Sequence, residues 1–225
     1  MKYLIILVTM CNLSISYAQN INWNALDTTQ TSITYLNVGY DYGASVQLGH
    51  ARQIRLFKPL LLSSDYSIPM GGDITDDFKI RIGGQMPVYN IQNFHFTVKL
   101  QGVFRHHQTD FVRMASFGYE TSAIVGFYKA KWHLAGEFGF DKAAVTYLNH
   151  ADFMQEMHPA IQDGWYKSTG GNFFYGIQAS RKMGDNVDIN LRMGATNARS
   201  SDEDALLPFY FQIGLVFRSL SKCSN

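Results

Sequence analysis

Hydrophobic and polar residues alternate strictly along residues 35–50. Every second side chain from Leu36 to Leu48 is apolar or aromatic, and the intervening positions carry Asn, Gly, Asp, Ser or Gln. A period of two predicts a β-strand with one apolar face. The same alternation recurs at residues 60–68, 78–88, 94–104, 119–127, 132–140, 173–182, 187–193 and 209–217. The pattern therefore predicts nine clear strands.

The predicted strands suit a membrane better than water. Most are about ten residues long, close to the ~9–11 residues of a tilted membrane strand and above the ~5–6 of an ordinary soluble strand. Their polar faces are rich in Gly, Ser, Asn and Gln, whereas the solvent face of a secreted sandwich favours Lys, Glu and Thr. Charged residues fall on those polar faces, where a barrel lumen tolerates them and lipid would not. The predicted lumen-facing charges are Asp41, Asp65, Lys79, Arg81, Lys99, Glu137, Asp141, Lys182, Asp188 and Arg192.

Aromatic residues are placed at both ends of the predicted strands. Tyr89, Phe94, Tyr128 and Trp132 flank short connections. Another set occupies the opposite strand ends: Phe104, Phe117, Phe140, Phe173 and Phe209. Two aromatic girdles at two membrane–water interfaces explain this distribution.

Short and long connections alternate along the chain and predict its orientation. The short ones are near 51–57, 89–93, 129–131 and 184–186, and the longer ones near 69–77, 105–118, 143–172 and 196–208. Outer-membrane barrels have short periplasmic turns and long extracellular loops. The last strand then runs towards the periplasm.

The strand count requires one more strand. Bacterial barrels usually have an even number, and residues 21–29 form a weak candidate for the first strand. We therefore predict an all-β fold, an antiparallel transmembrane up-and-down β-barrel of about ten strands. Two alternatives stay open. Residues 19–32 could form a plug in the lumen instead of a strand, or two of the predicted strands could merge and give a count of eight.

The chain begins with a typical export signal. Lys2 precedes an apolar run, and Ser16-Tyr17-Ala18 forms a small-x-small cleavage site, so residues 1–18 are predicted to be a cleaved signal peptide. Residues 19–32 follow as an N-terminal segment, 33–218 as the barrel, and 219–225 as a periplasmic tail. A net charge of +1 gives no indication of a nucleic-acid partner. We expect no cofactor and no metal, because no phosphate loop, CxxC or HExxH is present.

Several short segments resemble a family of small, functionally uncharacterised outer-membrane barrels of Gram-negative bacteria. They are Pro69-Met-Gly71 with Asp76-Asp77-Phe78, then 138–142, 163–166 and 170–173. The resemblance implies a bacterial outer-membrane barrel and no known chemistry, so it assigns no catalytic residue.

Two charge arrangements follow from strand pairing. Pairing around 69–77 brings Asp65 near Lys79 or Arg81, and pairing around 184–186 brings Lys182 near Asp188, as stabilising opposite charges. Pairing around a turn at 129–131 brings two carboxylates, Glu120 and Asp141, face to face. That contact costs energy unless a cation intervenes, and the candidates are Arg105, Arg113 and Lys142.

Two regions near the predicted outer rim carry candidate chemistry. Asp76, Asp77, His106, His107 and Glu120 are the ingredients of a rim hydrolase site of the kind in which aspartates and a histidine activate water. The longest loop, 149–171, has His150 and His158 at helical spacing, which is too few groups for a zinc site. It also has Phe153, Trp165 and Tyr166, whose exposure would favour binding of an extracellular ligand.

These observations favour a monomeric structural or surface-binding protein without enzymatic activity. A barrel near the ~8-strand limit has an interior that side chains fill, so we expect a closed lumen. A narrow solute channel and a rim-sited protease or lipid-modifying hydrolase are the alternatives. Expected partners are outer-membrane lipids, the barrel-insertion machinery and a ligand at loop 149–171.

Overall fold

The fold is described from a computed structural model, which covers residues 30–55, 58–71, 75–168, 170–199 and 207–220. The predicted signal peptide and the weak strand at 21–29 lie outside the described residues. No helix within the described part of the chain is long and apolar enough to cross a membrane.

Ten antiparallel strands close into a barrel, so the predicted fold class and strand number are confirmed. Each barrel strand pairs with the next, and the first pairs with the last. An eleventh, short strand, β8, pairs only with the far end of β7, and one short helix, α1, precedes it. The elements are β1 (Gln30–Tyr40), β2 (Ala44–Arg55), β3 (Pro59–Pro69), β4 (Asp77–Ile91), β5 (Phe94–Gln108), β6 (Val112–Tyr128), β7 (Trp132–His150), α1 (Asp152–Met157), β8 (Gly164–Lys167), β9 (Asn172–Lys182), β10 (Val187–Ala198) and β11 (Phe209–Leu220).

The prediction of a single strand over 35–50 is wrong, because this stretch is a hairpin. β1 ends at Tyr40 and β2 begins at Ala44, which is its direct partner. The turn between them, 41–43, has an odd number of residues, so the apolar and polar positions stay in phase across it. This hairpin supplies the strand that the sequence analysis sought at residues 21–29.

Two predicted loops are largely strand. The 105–118 segment is the continuation of β5 and β6, joined by a turn at 109–111, and residues 143–150 belong to β7. β5 pairs with β6 up to the 109–111 turn, and β6 pairs with β7 up to His150, with a register shift between Phe117 and Gly118. As a result, β6 and β7 extend beyond β9, which pairs with β7 only as far as Asp141, and β8 and α1 add to this wall. We call residues 143–167 the flap.

The two ends of the barrel differ in the length of their connections, but only partly as predicted. The short-turn end has connections at 56–58, 92–93, 129–131 and 183–186, and β1 begins and β11 ends there. The long-loop end has the connections 70–76, 151–171 and 199–208, but also the tight turns 41–43 and 109–111. The strict alternation of short and long connections is therefore wrong, although the longest connections share one end.

Side chains sort by polarity between the inside and the outside of the barrel. Inward-facing Arg81 and Gln101 are each 2% exposed, whereas outward-facing Ile82 and Leu100 are 64% and 59% exposed. A soluble protein rarely leaves such a continuous apolar surface in water. The barrel is thus a transmembrane barrel, with an apolar outside and a polar inside.

Aromatic girdles bound this apolar surface. On β5, Phe104 lies near the long-loop end and Phe94 near the short-turn end, ten residues apart. At about 3.3 Å per residue and a tilt of about 40°, this spacing gives an apolar band about 25 Å tall. Tyr128 is the exception to the predicted girdle: it is fully buried and faces inward, with its ring stacked on His133.

A charge on the outer face should destabilise the barrel according to its depth. Ile177, outward and 47% exposed, lies halfway along β9, and Met183, 62% exposed, lies just beyond that strand. We expect Ile177→Arg to lower the free energy of unfolding in lipid vesicles by about 2–4 kcal/mol, and Met183→Arg by at most about 1 kcal/mol. Urea titration of the refolded variants measures both, and equal losses would contradict the membrane assignment.

Candidate functional site

Arg81 is the centre of a buried charge cluster towards the long-loop end of the interior. Its guanidinium pairs with the carboxylate of Asp41 in the β1–β2 turn, with Asp65 Oδ1 at 3.1 Å and with Glu120 Oε2 at 3.3 Å. One cation therefore joins three segments that are far apart in the chain. Because a buried ion is costly unless it is paired and hydrogen-bonded, the three carboxylates and Arg81 depend on one another.

Two lysines complete the cluster. Lys99 Nζ lies 3.0 Å from Glu120 Oε1, and Lys79 Nζ lies 3.5 Å from Asp41 Oδ2. With these, three cations face three carboxylates. We call this set the Arg81 cluster; its members are Asp41, Asp65, Lys79, Arg81, Lys99 and Glu120.

Neutral side chains extend the Arg81 cluster across β1 and β2. Gln47 donates to Asp65 Oδ1 at 2.5 Å, and Asn37 donates to Gln47 Oε1 at 2.6 Å. The Tyr35 hydroxyl also donates to Asp65, at 3.3 Å. The Tyr35 ring lies over Gly49, where any Cβ would collide with it. Glycine on the inner face therefore makes room for an aromatic side chain that points into the lumen.

A second cluster is built around Arg192 on the opposite wall. Arg192 Nε donates to Glu137 Oε1 at 2.5 Å, and the Tyr210 hydroxyl donates to the same oxygen at 2.6 Å. The guanidinium also lies over the Tyr210 ring, 4.5 Å from its centroid. Tyr210 fits because the positions beneath its hydroxyl, Gly176 and Gly194, have no side chains.

The short-turn end of the interior holds one ion pair and a histidine contact. Arg218 Nη2 lies 2.7 Å from Asp188 Oδ1. The predicted proximity of Lys182 to Asp188 is confirmed, because the two residues are directly opposite in register. The nearest carboxylate to Lys182 is that of Asp185, at 4.0 Å.

His133 and Ser180 form a contact that the sequence analysis did not identify. Ser180 Oγ lies 2.5 Å from His133 Nδ1, and the Tyr128 ring stacks on the imidazole. A serine next to a histidine is an ingredient of nucleophilic catalysis. Both residues are buried inside the barrel, where the contact contributes to packing.

Above the two clusters, a cavity of about 370 Å³ opens towards the long-loop end. We call it the vestibule. Glu120 and Asp141 are direct register partners on its wall, as strand pairing predicted. The cations that neutralise Glu120 differ from the predicted ones, because they are Lys99 and Arg81 of the Arg81 cluster. Asp141 accepts a hydrogen bond from Asn172 Nδ2 at 3.1 Å.

Another part of the vestibule wall is cationic and aromatic. Arg105 lies over the Tyr42 ring, 4.4 Å from the ring centroid, and donates two hydrogen bonds to Asp77 at 3.3 and 3.1 Å. The vestibule volume falls within the ~300–1,000 Å³ typical of small-molecule sites. Its walls present both signs of charge, amides and hydroxyls, and so suit a polar ligand.

The predicted rim site is not assembled. Asp77 lies 3.3 Å from His107 Nδ1, but its carboxylate is also bound by Arg105. His106 follows on the other face of β5 and stacks on Phe78 outside the barrel, with 5.3 Å between centroids. Consecutive residues of a strand point to opposite faces, and the prediction had treated these histidines as loop residues.

The other two rim candidates also fail to join Asp77 and His107. Asp76 lies in the turn before β4 and receives a bond from Thr75, and Glu120 belongs to the Arg81 cluster. Within the described residues, no group of three or more His, Cys, Asp and Glu side chains could hold a metal ion.

The carboxylate of Asp163 links several parts of the flap by hydrogen bonds. It accepts bonds from the His150 backbone N–H and the His150 ring, both at 2.8 Å, from Asn149 at 3.0 Å and from Gln155 at 2.9 Å. The two hydrogen bonds from His150 are the main reason why the pKa of Asp163 is lowered. On the outer face of the flap, the Trp165 ring packs against the Tyr147 ring, with 5.2 Å between the two centroids.

The comparisons with known proteins add no family. Neither the protein-family models nor the curated proteins match this chain. Among solved structures, the KdgM porin in complex with disordered oligogalacturonate is similar over 82% of this chain and 98% of that chain, at 9% identity and a TM-score of 0.41. A structure of the KdgM porin has the same coverage and identity, with a TM-score of 0.40.

This similarity is too distant to assign a role to the chain, because the identity is very low and the TM-scores are below 0.5. The fold rests on the strand pairing described above. The resemblance to small outer-membrane barrels stays a prediction.

Removing Arg81 should destabilise the barrel strongly. Arg81→Met leaves Asp41, Asp65 and Glu120 with a deficit of positive charge in a buried site, and breaking such a pair costs about 3–5 kcal/mol. Asp185→Asn, which removes the exposed partner of Lys182, should cost at most about 1 kcal/mol. Urea unfolding in vesicles, followed by the heat-dependent gel shift, compares them, and equal effects would contradict a central role for Arg81.

The order of the flap should depend on Asp163 and on pH. Because its folded-state pKa is lowered, its contribution is complete above the unfolded value of about 3.9 and is lost as pH falls through the folded pKa. Asp163→Ala should accelerate cleavage of the flap by trypsin at Lys167 at neutral pH while the barrel stays intact. The matched control is Asp152→Ala in α1, and equal acceleration by both variants would refute the role of Asp163.

Proposed function

We propose that this protein is a monomeric barrel of the bacterial outer membrane that is closed to solutes and has a structural or surface-binding role. The orientation is short-turn end in the periplasm and long-loop end outside, as in other outer-membrane barrels. The outer membrane is favoured over other membranes by the predicted signal peptide and by the even strand number with both barrel ends, β1 and β11, at the short-turn end.

The burial of the interior carries the closed-lumen proposal. All ten barrel strands contribute at least one polar or charged inward side chain that is no more than 8% exposed; examples are Asn37, Gln47, Asp65, Arg81, Gln101, Glu120, Glu137, Gln178, Arg192 and Gln212. The side chains that line a water-filled pore would be accessible to water around its circumference. Here they contact one another instead, as expected near the ~8-strand limit.

The binding role is supported by the long-loop end. The vestibule offers a polar cavity above the closed interior. Beside the vestibule, the flap and the adjacent 109–111 turn expose apolar side chains beyond the aromatic girdle of the long-loop end. These are Phe111, Phe153, Met157 and Trp165. Exposed apolar groups beyond the membrane favour contact with a partner. These exposed groups support the proposal of a ligand at loop 149–171.

The two alternatives make different demands on the structure. A narrow channel requires the ion pairs of Arg81 and Arg192 to leave a continuous water path. A rim hydrolase requires a free acid–base pair, whereas the Asp77 carboxylate is bound by Arg105, so the geometry favours binding over catalysis. Loss of peptide or lipid turnover in His107→Ala would be the signature of the hydrolase.

Conductance measures whether the lumen is closed. The folded protein, verified by its heat-dependent gel shift, is inserted into a planar bilayer. We expect no discrete steps from the wild type. The double variant Arg81→Ala with Arg192→Ala should produce steps, because it removes two large buried side chains from the interior and unpairs their carboxylates.

The control for this experiment is Arg113→Ala, since Arg113 lies on the exposed outer face of β6. It should stay silent. Discrete wild-type steps whose size changes in Lys99→Gln or Arg192→Gln would refute closure and establish the channel alternative.

A further inference from the structure

The outer wall of the barrel carries a polar stripe within the apolar band. Outward-facing Thr34, His50 and Ser64 are direct partners across β1, β2 and β3, and all three are exposed. Thr34 Oγ1 lies 3.1 Å from His50 Nδ1. Arg52 follows on the same face of β2, next to Leu62 of β3. Polar groups on a lipid-facing wall are costly, so this stripe requires an explanation.

Arg52 lies inside the leaflet next to the short-turn end. It precedes the end of β2, Arg55, by three residues, which corresponds to roughly 8 Å along the membrane normal. From this depth a long arginine side chain can direct its charge to the interface while its methylenes stay in the apolar layer. Arg52 makes no ion pair with any described residue of the barrel.

An apolar groove of about 710 Å³ lies beside Arg52. Its walls are large aliphatic side chains, and its floor is formed by Gly84 and Gly102. A Cβ at Gly102 would meet nothing closer than the Ile82 carbonyl oxygen at 3.7 Å. The groove therefore exists because this position has no side chain. Its apolar wall residues are Leu60, Leu62, Ile82, Met86, Val98 and Leu100.

We propose that this groove and Arg52 form a binding site for one phospholipid of the short-turn leaflet. The phosphate lies at Arg52 and one acyl chain lies in the groove, over Gly102. His50 and Thr34 supply further polar contacts for the ester region. The proposal needs a membrane-embedded barrel and does not depend on whether the lumen conducts.

The charge of Arg52 decides between a lipid and a second copy of the chain. Among the described strand residues, the outward-facing positions include no aspartate and no glutamate. A second barrel docked on this wall would therefore bring no carboxylate to Arg52. A phospholipid brings both the anion and a chain of matching apolar character, and arginine binds phosphate well.

Native mass spectrometry tests the site. The folded protein in detergent is titrated with phosphatidylglycerol, and with diacylglycerol as the lipid that lacks the phosphate. We expect one phosphatidylglycerol to be retained per barrel and diacylglycerol to be lost. Arg52→Leu and Gly102→Phe should each weaken retention at least tenfold, the first by removing the cation and the second by filling the groove.

Two matched controls separate the site from general lipid contact. Gly136 is also outward-facing and open, since a Cβ there would meet nothing closer than 3.9 Å, so Gly136→Phe should leave retention unchanged. Arg113→Leu removes an arginine from the outer face beyond the aromatic girdle of the long-loop end, and it should also leave retention unchanged. The gel shift verifies that each variant is folded.

The contrary outcomes are distinct. Absence of retained phosphatidylglycerol, or equal retention by wild type and Arg52→Leu, would overturn the phosphate site. Equal loss in Gly102→Phe and Gly136→Phe would overturn the groove. A dimer that Gly102→Phe abolishes would show that a second copy, not a lipid, covers this wall.

Discussion

Pairing of buried charge is the constraint on which the interior depends. The charged side chains that point into this ten-stranded barrel are largely buried, so each of them must find its partner among the others. Arg81 solves this for three carboxylates at once, and Arg192 does so with Glu137 and Tyr210. Inward glycines are the necessary complement, because they leave room for the tyrosines that bridge these groups. Charged side chains, tyrosines and glycines thus pack together in the interior.

Alternation predicted the architecture well because membrane strands impose a period of two on both faces. It could not locate the β1–β2 turn, since 41–43 has an odd number of residues and preserves the phase from Tyr40 to Ala44. It also ended β5 too early and began β6 too late. Arg105, His106 and His107 look like loop residues by composition, yet they alternate between the vestibule and the outer face.

The candidate site was predictable only where it follows from nearest-neighbour pairing. The contact of Asp65 with Arg81 and the opposition of Glu120 to Asp141 both follow from hairpin register. Asp41 with Arg81 and Arg192 with Glu137 cross non-adjacent strands through the lumen, and no local pattern encodes such contacts. Arg52 was missed for a different reason: residues 51–57 were predicted to form a short connection, whereas β2 continues to Arg55.

The pairing of β1 with β11 has a consequence for how the barrel forms. All the other neighbouring barrel strands are close in sequence, whereas this seam joins the two ends of the barrel and closes its largest loop of chain. Contacts of such separation form slowly, since the entropy of loop closure must be overcome first. Until this seam closes, the sheet has two unpaired edges, β1 and β11. Closure brings Asp41 and Arg192, from the two halves of the chain, to the wall of one vestibule, so the barrel and the vestibule are completed in the same step.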